Sequence, residues 1–87
     1  MRSTFDFYSD PGHGWMKVNI DEVIELGIYY KISPFSFRDK SNLFLEEDCD
    51  APLFINAYKN KFKKEPKLKF HQTNKLSKIR KLMSFTP

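Results

Sequence analysis

"STFDFYSDPGHGWMKVNIDEV", Ser3 to Val23, carries three structural signals in succession. In its first part Phe5 and Phe7 alternate with Thr4, Asp6 and Tyr8, the period of two that turns one side of a strand toward a core. "DPGHG" then brings Pro11, Gly12 and Gly14 together, a strong interruption, before alternation resumes through Trp15 or Met16, Val18 and Ile20. Two strands joined by a short loop predict a β-hairpin, about 4–9 with 15–20. At "NIDEVIELGI" the period lengthens. Asp21 is the predicted N-cap, Val23, Ile24 and Leu26 form an apolar edge, and Gly27 is placed to stop a helix of roughly two turns.

Working outward, "YYKISPFSFRD" has Pro34 blocking helix continuation, and Phe35 and Phe37 alternate with Ser36 and Arg38 as a strand. "DKSN" is a polar turn, and Leu43, Phe44 and Leu45 begin the strand that completes a second hairpin, about 35–38 with 43–47. "DCDAPLFINAYKNKFKKE" predicts the longest helix, capped by Asp50, with Leu53, Phe54, Ala57, Tyr58 and Phe62 on one stripe and lysines at its C-terminal end. Pro66 ends it. Leu68 and Phe70 alternate with Lys67, Lys69 and His71 as a candidate fifth, edge strand. Leu76, Ile79, Leu82 and Met83 then predict a short amphipathic helix capped by Thr73 or Asn74. The expected fold is α+β, in the order ββ-α-ββ-α-(β)-α. A small, mostly antiparallel sheet of two hairpins and a possible edge strand is packed by two to three helices on one face. Residues 1–87 form a single domain, of which 72–87 are a basic C-terminal helix or tail.

With 87 residues the chain is near the lower limit for a self-sufficient core, and nine Phe, four Tyr and one Trp compensate for its length. A homodimer would add burial that a monomer lacks, so both states are open. The lone Cys49 excludes an internal disulfide and points to a reducing, cytoplasmic setting. No apolar run is long enough to span a bilayer, and "MRSTFDFYSD" lacks the apolar centre of a signal peptide. Charge is segregated. Residues 1–58 hold five Lys and Arg against ten Asp and Glu, whereas residues 59–87 hold ten against Glu65 alone. Such asymmetry favours an anionic partner for the basic part, or a match between the two parts.

Three groups of residues carry chemistry. Asp10 and His13 could act as an acid/base pair with the carboxylates of 46–50, provided they share a pocket; otherwise the loop is a glycine-shaped hairpin connection. Glu46, Glu47, Asp48 and Asp50 cluster around Cys49, without the spacing of a calcium loop or a zinc site, so no metal or other cofactor is expected. They suit a basic partner or a helix N-terminus, and they disfavour a thiolate at Cys49. In the basic third, lysines interleaved with Phe62, Phe70 and His71 suit phosphates and bases, or simply a solvated surface, and no established nucleic-acid-binding motif is present.

The segments "YSDPGHGWMKV", "LGIYYKISPFSF" and "LFLEEDCDAPLFINAYK" together resemble a family of small uncharacterised proteins encoded by phages, prophages and plasmids. The similarity covers roughly residues 7–71, with Phe35 and Phe37 where tyrosine is usual and Phe44 before "LEED". The resemblance implies a mobile-element protein in the cytoplasm of an infected or lysogenic bacterial host. It also implies a non-enzymatic binding module that modulates or inhibits a host macromolecule, a defence system among the targets. A host or phage protein is the expected partner, met through Asp10, His13, Trp15, Glu46, Glu47, Asp48 and Asp50, with no membrane involved. The alternative is a nucleic-acid-binding accessory protein using Lys61, Lys63, Lys64, Lys67, Lys69, Lys78, Arg80 and Lys81.

Overall fold

The computed structural model of the chain describes residues 1–86. The first hairpin lies at its centre: β1 (Thr4–Ser9) pairs antiparallel with β2 (Gly14–Asn19), setting Tyr8 opposite Trp15 and Phe7 opposite Met16. The second, β3 (Phe37–Asp39) with β4 (Asn42–Glu46), joins it through an antiparallel β2–β4 ladder. Two helices, α1 (Ile20–Glu25) and α2 (Asp50–Phe62), and two further strands, β5 (Lys67–Gln72) and β6 (Met83–Ser84), complete an α+β fold with sheet order β5-β1-β2-β4-β3-β6. Among the described residues no helix is long and apolar enough to cross a membrane.

The sheet is mixed, because β5 takes the predicted edge position but runs parallel to β1, with Phe5 opposite Leu68. The helix explains this direction. β4 runs the same way as β1, both being antiparallel to β2, and a helical crossover such as α2 returns the next strand in the direction of the one before it.

Strand alternation divides the apolar residues between two faces. Phe5, Met16, Val18, Leu43 and Leu45 form the larger core with Val23, Ile28 and Ile32, and with Ala51, Phe54 and Tyr58 of α2. Phe54 meets Phe5 edge-on at 5.3 Å, so the aromatic content packs the core as composition suggests. Trp15 and Phe44 point to the opposite face, where Ile79 covers them and Tyr8, Phe37 and Leu82 pack alongside.

Two helix starts differ from expectation. The cap of α1 is Asn19 rather than Asp21: Asn19 Oδ1 accepts from the Glu22 N–H, and the Glu22 carboxylate accepts from the Asn19 N–H, both at 2.9 Å. This reciprocal box satisfies two backbone donors, and Arg2 donates twice more to the buried Glu22 carboxylate. Asp50 does not cap α2 either. It lies in the first helical turn, and its buried carboxylate accepts from the Ser33 N–H and hydroxyl and from the Ser36 hydroxyl. Gly27 does follow the end of α1 with φ +72°, as its position predicts.

The expected C-terminal helix is absent from 73–83. A 3₁₀ turn over Lys78–Lys81 leads instead into β6, which pairs with β3 at the far edge of the sheet. Tertiary partners override the helical period here. The Ser77 N–H donates to Asp10, the Phe85 N–H donates to the Ser36 carbonyl at 2.8 Å, and Phe85 is fully buried in the larger core. Residues 73–82 therefore form a strap across the second face, so the sheet is covered on both faces rather than by helices on one.

Candidate functional site

The 10–15 loop is organised by Asp10. Its Oδ1 accepts from the N–H groups of Gly12 and His13 at 2.9 Å, while its own N–H donates to the His13 carbonyl. The same carboxylate accepts from Ser77 N–H and from two nitrogens of Arg80, whose guanidinium carbon lies 5.5 Å from the Trp15 ring centre. Arg80, followed by the backbone donors, holds the Asp10 carboxyl well below the usual carboxylate range against the opposing effect of desolvation. In return Asp10 raises the Arg80 pKa. This pair ties the hairpin loop to the strap.

Gly14 is needed for space. A Cβ there would lie 2.6 Å from the Phe7 ring and 2.9 Å from the Glu47 carboxylate. At the end of β4, Glu46 Oε2 accepts from the N–H groups of Asp48 and Cys49 at 2.9 Å, folding residues 46–49 into a turn beside the loop.

Loop and turn enclose a cleft of about 480 Å³. His13 and Trp15 line it from one side, Glu46, Asp48 and Cys49 from another, and Phe35, Phe37 and Arg80 complete the wall. The His13 and Trp15 rings are 6.1 Å apart, and Phe35 is 67% exposed. Partial desolvation, then the Glu46, Asp50 and Asp48 carboxylates, raise the Cys49 thiol above its ordinary pKa, so it is a poor nucleophile. His13 and two carboxylates do share a pocket, but the thiol beside them is not activated. Among the described residues no three His, Cys, Asp or Glu side chains group as metal ligands.

Of the seven residues expected to meet a partner protein, His13, Trp15, Glu46 and Asp48 come together in this cleft. Trp15 is a wall rather than an exposed anchor, being 2% exposed. Asp10 and Asp50, by contrast, are buried behind the surface with their oxygens bound internally. Glu47 is not in the lining, and its carboxylate lies against Gly14.

The basic candidates divide among three elements. Lys61 lies 3.4 Å from Glu25, while Lys63 and Lys64 are exposed beyond the end of α2. Lys67 and Lys69 are exposed on β5, with Lys69 opposite Asp6. Lys78, Arg80 and Lys81 belong to the strap, where Arg80 pairs with Asp10.

Sequence reasoning missed Phe35 and Phe37 as cleft residues, and it missed a second cleft of about 430 Å³ lined by Tyr8, Lys17, Phe44 and Lys75 together with Lys78. Alternation gives the strand but not which residues of distant segments adjoin it. No protein-family model, curated protein or solved structure matches the chain.

Proposed function

We propose that the protein is a non-enzymatic binding module of a phage or other mobile element, acting in the bacterial cytoplasm on a host macromolecule, with defence proteins among its targets. The mobile-element setting is supported by the sequence resemblance. The contact site is supported by one observation: His13, Trp15, Glu46 and Asp48, drawn from two separate segments, line a single cleft with Phe35 and Phe37. Carboxylates beside aromatic rings suit a cation, and the positive charge of Arg80 is already matched by Asp10. A lysine or arginine side chain of a partner protein would place its charge near Glu46 and Asp48 and its methylene stem against Phe35.

The test is partner capture from bacterial host cytosol with the wild-type protein and a Phe35→Ala/Asp48→Lys variant of unchanged circular dichroism. A specific protein retained by the wild type and recovered about tenfold less by the variant supports this reading. Equal recovery, or no specific protein with either, overturns it.

The nucleic-acid reading draws on the exposure of Lys63, Lys64, Lys67 and Lys69. Its signature is an affinity for DNA or RNA that falls steeply as salt rises, and absence of binding at low salt eliminates it.

A further inference from the structure

The second cleft lies beyond the surface assigned to a partner protein. Tyr8 of β1, Lys17 of β2 and Phe44 of β4 contribute to it from the sheet, and Lys75, Ser77 and Lys78 from the strap. Its volume of about 430 Å³ falls within the roughly 300–1,000 Å³ common for small-molecule sites. Three ammonium groups from two separate parts of the chain thus border one space.

Charge and hydrogen bonding both point to an anion. Lys17, Lys75 and Lys78 take part in no ion pair among the described residues, in contrast to Arg2, Lys59, Lys61 and Arg80. Among the described residues no carboxylate lines the cleft; Asp6, on the neighbouring strand, has its Oδ1 2.8 Å from His71 Nε2. His71, then the Lys69 and Lys17 charges, hold the Asp6 pKa below the usual value. Lys17 thus has one carboxylate in electrostatic reach outside the lining, whereas Lys75 and Lys78 are not among the charges acting on it. The Thr73 and Ser77 hydroxyl oxygens accept from the Lys75 and Ile79 N–H groups, which leaves each hydroxyl hydrogen able to donate. The remaining lining is apolar or aromatic, from Tyr8, Phe44, Leu76 and Ile79. A ligand matching all of this has a flat apolar body and a phosphate.

We propose that this cleft binds a phosphate-bearing nucleotide unit, with its base against Tyr8 and the exposed Leu76 and its phosphate among Lys17, Lys75 and Lys78. A free nucleotide and one unit of a single strand present the same chemistry. The site is independent of the cleft assigned to a partner protein, from which it shares no lining residue.

Amide-resolved NMR titrations of the whole chain at low ionic strength, using adenosine monophosphate, adenosine and a short oligodeoxyadenylate, test the proposal. The monophosphate is expected to shift the amides of Lys17 and 75–79 and to bind about tenfold tighter than adenosine. A Lys17→Gln/Lys78→Gln variant should weaken it by about tenfold or more, whereas Lys63→Gln/Lys64→Gln should change it by less than about twofold. An oligonucleotide that binds more tightly than the monophosphate at these same amides assigns the site to a single strand; equal affinity assigns it to the free nucleotide. Equal binding of adenosine and its monophosphate overturns the proposal, as do shifts confined to 61–69 or none at millimolar ligand. Partner capture by the Lys17→Gln/Lys78→Gln variant keeps failure here distinct from failure of the protein-binding reading.

Discussion

The two clefts draw on one strap and differ in sign. The 3₁₀ turn contributes Lys78 and Ile79 to one and Arg80 to the other. On the Arg80 side the cation is matched by Asp10, leaving Glu46 and Asp48 to set the character of the cleft. On the Lys78 side no carboxylate of the described residues enters the lining, and three lysines set it. Neighbouring residues of one basic segment therefore serve opposite purposes, and the residue each meets on the sheet face decides which. Net charge of a segment is a poor guide to the charge of the surface it builds.

Removing the strap's far anchor should affect both clefts most. Phe85→Ala empties a fully buried site and is expected to cost about 3–5 kcal/mol in urea unfolding, with ligand binding lost on both sides. Asp10→Asn leaves Arg80 without its counter-charge and should fall between this variant and the next in stability. It should also alter the response to acid. The folded carboxyl has a lowered pKa, so its stabilisation is complete above the unfolded value of about 3.9 and is lost progressively as pH falls below it. Unfolding measured between pH 6 and 2 should therefore show a shallower acid slope in Asp10→Asn; an unchanged slope would remove Asp10 as the tie.

Gly14→Ala forces a methyl group against Phe7 and is expected to cost about 1–3 kcal/mol in thermal or urea unfolding. The smallest effects on stability should come from exchanging charge at the rims. Asp48→Lys and Lys78→Glu, both exposed, should each change stability by no more than about 0.5 kcal/mol while weakening only the ligand of their own cleft. Loss of both ligands in either variant would show that the clefts are not independent.

Local pattern made much of the fold legible. Alternation around Phe5, Phe7 and Val18 gave the first hairpin, Phe37 and Leu43–Leu45 the second, and the Phe54–Tyr58 stripe gave α2. The Asn19–Glu22 spacing was also readable as a capping box, but Asp21, the stronger-looking neighbour, drew the cap away from it. The C-terminal segment was misread for a different reason. Leu76, Ile79, Leu82 and Met83 fit a helical period by local pattern, but Ile79 and Leu82 pack on the sheet face, Ser77 and Arg80 bond Asp10, and the Phe85 N–H donates to the Ser36 carbonyl. The meeting of the 10–15 loop with the 46–49 turn is likewise set by the β2–β4 register, Trp15 opposite Glu46. No local spacing encodes that distance.

The parallel register between β1 and β5 also has a kinetic consequence. Each rung, from Thr4 with Lys67 to Ser9 with Gln72, joins residues separated by most of the chain. Closing so large a loop loses entropy before the contacts offset it, so the β1–β2–β4 ladder should form early and β5 dock late. Conservative core substitutions should then show φ-values near zero at Leu68 and clearly higher at Val18 in stopped-flow refolding. On that order of events the strap, which follows β5 in the chain, settles last, and the two clefts are among the last features to form.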